Sequence, residues 1–123
     1  MDIHISEAEA LVMQVLWQQH PQGADEICSA LAEQQWQAAT VKTLLNRLLN
    51  KGAISAVKDG RRYLYAPLLK REQWLASESK GFLDRMFNGK VAPLVAHFSR
   101  QRKLSKSDIA ELKRLIEDME DGK

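Results

Sequence analysis

Hydrophobic side chains recur at helical spacing along most of this chain, and over residues 53–66 the period shortens to that of a strand. The clearest helical stretch is Trp36 to Gly52, WQAATVKTLLNRLLNKG. Val41, Leu44, Leu45 and Leu48 stand at i, i+3, i+4 and i+7, so a helix gathers them into one stripe that must be buried, and Gly52 stops it. At about 100° per residue, Ala39, Thr43, Asn46 and Asn50 run along the middle of the opposite side, flanked by Lys42, Arg47 and Trp36. That outer side is polar and free of acids. Short hydroxyl, amide and basic side chains reach base edges and phosphates without repelling the charge of DNA. A merely solvated amphipathic helix satisfies the same period, so the neighbouring elements have to decide between the two readings.

Upstream, Ser6 with Glu9 three residues later makes a capping box that starts a helix, and Leu11, Val12, Val15 and Leu16 give it a buried side. His20-Pro21-Gln22-Gly23 breaks that pattern, and a second helix is expected from Ala24 to Glu33 with Ile27, Cys28 and Leu31 inward. Gln34 and Gln35 form a short polar link to the central helix. Downstream of Gly52, Ala53 to Lys58 alternates as a strand, Asp59-Gly60 signals a hairpin turn, and Arg61 to Ala66 alternates again before Pro67. Three short helices followed directly by a hairpin with Lys58, Arg61 and Arg62 at its tip predict a winged helix-turn-helix, in which the third helix and the wing meet DNA together.

From Leu68 onward the pattern is helical again, with helices expected over about 69–87, from about Lys90, and from Ser105, which Asp108 would cap. Their stripes are Leu75, Phe82, Leu83, Met86 and Phe87; then Val91, Leu94, Val95 and Phe98; then Leu112, Ile116 and Met119, joined by Ile109 and Leu115. Asn88-Gly89 supplies a left-handed stop between the first two. This is more apolar surface than a tail on a compact domain can leave in water, and a twofold dimer with interlocked helices is more economical than helices folded back on their own winged domain. The expected architecture is therefore mostly α with a small β-hairpin wing: a winged helix-turn-helix domain at residues 1–68 and a helical dimerisation domain at residues 69–123.

The net charge of +2 conceals a segregation. Residues 1–35 carry six acids and no lysine or arginine, whereas residues 36–66 carry six bases against Asp59 alone. Positive potential concentrated on the central helix and the wing suits a polyanion met by one face. Hydrophobic residues at 45% and charged residues at 28% are a soluble globular balance. No apolar run approaches the ~20 residues of a membrane span, and Met1 to Ile5 has neither a basic start nor a long apolar stretch, so a cytoplasmic protein without membrane insertion is expected. The single cysteine, Cys28, rules out a disulfide framework and reads as a small buried hydrophobe. Catalytic chemistry finds no footing: His4, His20 and His97 lie far apart with no metal-ligand spacing, there is no Gly-rich loop, and Glu7 and Glu9 suit a first helical turn. No enzyme, metal site or cofactor is expected.

Taken together these residues resemble the penicillinase-repressor family, which contains the BlaI, MecI and CopY repressors. The resemblance covers nearly the whole chain: ISEAEALVMQVLW from Ile5, Trp36 followed by TVKTLLNRLLNKGAI, GRRYLYAP in the wing, and SKGFLDRMFNG in the fourth helix. It implies a homodimer that represses transcription by occupying an operator, with DNA contacts on Trp36, Thr40, Thr43 and Arg47 and a wing contact near Arg61 and Arg62. Two departures from the family pattern stand out. Members acting on β-lactamase genes often carry lysine where this chain has Ala39. They are also released by proteolysis at an Asn-Phe bond in the fifth helix, linked to a membrane receptor protease, whereas the aligned pair here is His97-Phe98. The copper-responsive branch uses C-terminal cysteine pairs as soft metal ligands, and no cysteine follows Phe98.

The expected function is a homodimeric repressor on a palindromic operator of double-stranded DNA. Thr43 and Asn46 would face bases beside Ala39, Trp36, Thr40, Lys42 and Arg47 would hold phosphates, and Arg61 and Arg62 would take the neighbouring backbone or minor groove. A winged module that binds protein without DNA is the competing class, and the acid-free face argues against it. A third reading is a repressor relieved by a ligand or metal instead of proteolysis, which would need an apolar pocket among the last three helices.

Overall fold

Ser6 and Glu9 open the first helix as their spacing requires: the Glu9 N–H donates to Ser6 Oγ at 3.1 Å, and the Ser6 N–H donates to Glu9 Oε1 at 2.7 Å. The computed structural model describes residues 3–122. In chain order these form α1 (Glu7–Gln18), α2 (Ala24–Ala30), a 3-10 turn (Ala32–Gln34), α3 (Ala38–Asn50), β1 (Ile54–Asp59), β2 (Arg62–Pro67), α4 (Arg71–Phe87), α5 (Val91–Arg100) and α6 (Lys106–Glu120). The mostly helical winged fold follows the sequence pattern. The second helix is shorter than expected because its last turn tightens into the 3-10 segment, closed by Gln35 in the left-handed region at φ 58°.

Two compact units divide between Ser77 and Glu78. In the first, Val12, Met13 and Leu16 of α1, Ile27 and Leu31 around α2, and Val41, Leu44, Leu45 and Leu48 of α3 form one buried core, closed by Ala53, Ile54 and Leu69. The expected boundary after residue 68 falls short for a packing reason. Leu69 is only 9% exposed, the Trp17 indole N–H donates to the Leu69 carbonyl at 2.8 Å, and the Trp74 ring lies 5.5 Å from that of Trp17. The first turn of α4 thus belongs to the winged unit.

β1 and β2 pair antiparallel from Ile54 opposite Pro67 to Asp59 opposite Arg62, leaving a two-residue loop, Gly60-Arg61. Only its first position has a positive φ, +65° at Gly60, the requirement of a type II′ turn. The strands therefore sit one residue later than the sequence suggested. Ala53 is taken up instead in closing α3: its N–H donates to the Leu48 carbonyl at 2.9 Å and that of Gly52, φ +76°, to Leu49 at 3.0 Å, a Schellman motif. Gln22 forms an isolated bridge beside the two-stranded sheet by exchanging backbone hydrogen bonds with Tyr65 at 3.0 and 2.8 Å. Its side-chain amide donates back to the Val15 and Gln19 carbonyls, which closes the end of α1.

The second unit contains the rest of α4 with α5 and α6. Ser105 and Asp108 cap α6 reciprocally at 3.0 Å each. Among the described residues from Glu78 onward none is buried, although leucines, isoleucines, valines and phenylalanines recur throughout.

Candidate nucleic-acid interface

The two ends of α3 are built differently from those of its neighbours. Its N-terminus is preceded by Gln37, which makes no side-chain cap, and its first turn contains no acid. By contrast α1 starts with Glu7 and Glu9, α2 with Asp25 and Glu26, and α6 with Asp108. The partial positive charge of this helix start is therefore left uncompensated, which favours an external anion. At the other end Lys51 turns inward. Its Nζ donates to Glu9 Oε1 at 2.7 Å and to the His4 carbonyl at 2.9 Å, so it ties the end of α3 to α1 and to the segment before it. Glu9 is 2% exposed. Burial pushes its carboxyl up, but the hydrogen bonds from Lys51 and Ser6 and the Lys51 charge outweigh that and hold it below its ordinary value of 4.5.

Between these ends the buried stripe is the expected one, with Val41, Leu44, Leu45 and Leu48 all inward. Ala39, Thr40, Lys42, Thr43, Asn46 and Arg47 are all exposed on the outer side. Among the described residues neither Lys42 nor Arg47 is paired with an acid. Both cations are thus free for a phosphate. Thr43 Oγ1 donates to the Ala39 carbonyl at 3.0 Å, so its hydrogen is used within the helix and it offers a methyl group and oxygen lone pairs outward. Ala39 is the smallest residue on this face and leaves a shallow floor beside Thr43. Trp36 is half-buried and packs against the core, so only part of its ring borders the outer surface.

The wing divides its two arginines. Arg61, in the loop, is exposed and carries no ion pair among the described residues. Arg62 instead reaches the start of α2, with Nη1 at 3.1 Å from Glu26 Oε1 and 3.8 Å from Asp25 Oδ1. Arg62 thus has carboxylate partners that Arg61 lacks among the described residues, although its side chain stays half exposed. Tyr63 and Val57 are more than half exposed near the tip, beside Lys58. Sequence reasoning passed over Tyr63. It shares a strand face with Tyr65, and only the edge of the core decides that Tyr65 is covered while Tyr63 is not.

The helices of the second unit present the other residues singled out in the sequence. Phe82, Met86, Val91, Phe98, Ile116 and Met119 are exposed, Met119 at 77%. Leu83, Phe87, Leu94, Val95 and Leu112 are half-buried within this unit, and Leu75, also half-buried, belongs to the first. His97 and Phe98 are both exposed and lie within α5, their rings 5.7 Å apart. An open groove runs between Phe98, Leu104, Leu112 and Leu115, with Lys103, Asp108 and Glu111 at its rim. Among the described residues no three His, Cys, Asp or Glu side chains gather as metal ligands.

A family model described as "Penicillinase repressor" matches residues 5–118 of the chain. The penicillinase repressor of Bacillus licheniformis is 32% identical over 120 residues, covering 97% of this chain and 94% of the relative. The methicillin resistance regulatory protein MecI of Staphylococcus aureus (strain N315) is 31% identical over 113 residues, covering 91% and 92%. Among solved structures, the monomeric form of Bacillus licheniformis BlaI in complex with the blaP half-operator superposes with a TM-score of 0.51 at 34% identity, over 58% of this chain and 89% of that one.

Proposed function

The chain belongs to the penicillinase-repressor family, and on that premise we propose that it binds a palindromic double-stranded operator as a homodimer and silences the gene beside it. The family is one of transcriptional repressors, not enzymes. The observation that carries the DNA reading is the outer side of α3: six exposed residues without an acid, two unpaired cations among them, and a helix start left electrically uncompensated. That combination accepts phosphates at its edges and leaves Thr43 and Asn46 in the middle, where a major groove presents base edges. Arg61 extends the same charge from the wing.

Dimerisation is supported by the second unit. Eight of its large hydrophobic side chains are exposed: Phe82, Met86, Val91, Phe98, Ile109, Leu115, Ile116 and Met119. A second copy covers them at no cost in new sequence, and a twofold pair of reading helices matches a palindrome. Among the described residues no helix is long and apolar enough to cross a membrane, and the chain acts where the DNA is, in the cytoplasm. Release by a membrane receptor protease would act at His97-Phe98. A cut there severs α6, with Leu112, Ile116 and Met119, from the rest of the pairing surface.

Selection of duplexes from a random pool with the full-length chain, followed by a mobility shift, tests the proposal. A palindromic consensus bound as two chains per duplex is expected. Recovery of no enriched sequence, with no shift of any duplex at low salt, would overturn it.

A further inference from the structure

Arg62 stands at the turn of the wing, yet it faces the start of α2. Its Nη1 donates to Glu26 Oε1 at 3.1 Å and lies 3.8 Å from Asp25 Oδ1. Glu26 is itself fixed, because the Gly23 N–H donates to that same oxygen at 3.0 Å. Gly23 leaves the guanidinium its space: a Cβ there would come within 3.1 Å of Arg62 Nη1 and 2.8 Å of Asp25 Oδ1. Three residues further along β2, Tyr65 exchanges both backbone hydrogen bonds with Gln22. The segment Gln22–Glu26 thus grips β2 twice, by backbone near its end and by an ion pair near its tip. A hairpin held only at its base would be free to swing, and the second grip removes that freedom at the residue next to Arg61.

We propose that Arg62 is a positioning residue of the wing and makes no DNA contact: its bridge to Glu26 and Asp25 fixes the hairpin against α2, and Arg61 alone is delivered to the DNA backbone. The assignment rests on the DNA-binding reading above. It explains why two adjacent arginines in one turn have different surroundings, one tied to carboxylates and one free.

The test uses the full-length chain and a duplex enriched from a random pool, with affinity measured across a salt series. Arg61→Gln is expected to flatten the plot of log affinity against log salt by about one unit, the loss of one phosphate contact. Arg62→Gln is expected to leave that slope unchanged while lowering affinity about two- to five-fold, the scale of an exposed ion pair. The exchanged pair Arg62→Glu with Glu26→Arg, which keeps the net charge, should restore affinity. In the DNA-free chain, Arg62→Gln and Glu26→Gln should each speed amide hydrogen exchange in β1 and β2 to the same extent, with no further gain when combined. A slope that falls for Arg62→Gln as it does for Arg61→Gln, or hairpin exchange that does not change, would overturn the assignment while leaving the repressor reading intact. A wild-type chain that shifts no duplex would overturn both.

Discussion

Glu9 holds three parts of the winged unit with one carboxylate: it closes the start of α1, receives Lys51 from the end of α3, and through Lys51 reaches the His4 carbonyl. Its second oxygen, Oε2, is buried without a partner among the described residues, so the carboxylate is costly to keep charged and depends on Lys51. A carboxyl held below its ordinary value contributes stability that is present above the unfolded pKa, near 4.5, and is lost as pH falls through the lower folded value. Glu9→Gln is therefore expected to cost about 1–2 kcal/mol at pH 7, and the gap to wild type should narrow below about pH 4, as read by urea denaturation at both pH values. On the proposed DNA surface the exposed residues would separate by task. Arg47→Ala should weaken binding to every duplex and flatten the salt dependence by about one unit. Thr43→Ala should leave the slope alone and reduce discrimination at one base position, where a mismatch ordinarily costs about 1–3 kcal/mol. A repeated random-pool selection with each variant distinguishes the two outcomes. The exposed side of α3 was legible residue by residue, since a helical period assigns faces without knowing neighbours. The ion pairs of Lys51 with Glu9 and of Arg62 with Glu26 were not legible, because the partners lie 42 and 36 positions apart and only folding brings them near.

Among the elements, α3 is the one on which both core and interface depend, since its inner stripe contributes Val41, Leu44, Leu45 and Leu48 to a single buried cluster. Leu45 is fully buried, so Leu45→Ala should destabilise the winged unit by about 2–5 kcal/mol and lower DNA affinity only through the unfolded fraction. Thermal unfolding followed beside the mobility shift checks that the two losses have one origin. Helix starts were readable because a capping box is a local pattern, and Ser6-Glu9 and Ser105-Asp108 both form as written. Strand ends were not. The pairing shifted by one residue because the turn demands a glycine at its first central position and because Ala53 is claimed by the closure of α3. Gln22 likewise looked like part of a loop, and its roles as a bridge to Tyr65 and as a closure for α1 depend on contacts that no local pattern records.

For the whole molecule, the two ends of the chain differ in burial. Among the described residues every buried side chain lies at or before Leu69, and beyond Ser77 the apolar stripes are exposed or half-buried. The boundary itself could not be read, because Trp17 and Trp74 meet only in three dimensions and draw the first turn of α4 into the winged unit. Ile116 is 55% exposed on α6. Replacing it with Asp puts a charge into the surface proposed for pairing, so sedimentation should show single chains, while the winged unit still unfolds cooperatively at an unchanged temperature. Affinity for a half-site duplex should persist and that for the palindrome should fall to match it. Retention of a dimer by Ile116→Asp together with Met119→Asp would place the pairing surface elsewhere.

The proposed pairing, in which the tail completes its packing only when a second copy arrives, would make the quantity of protein part of the control. Below the level at which pairs persist, the competent species grows with the square of the chain number, so halving synthesis would reduce it about fourfold. Growth and division alone would then loosen the grip on the promoter, with no inducer required, and recovery would be correspondingly abrupt once synthesis resumed.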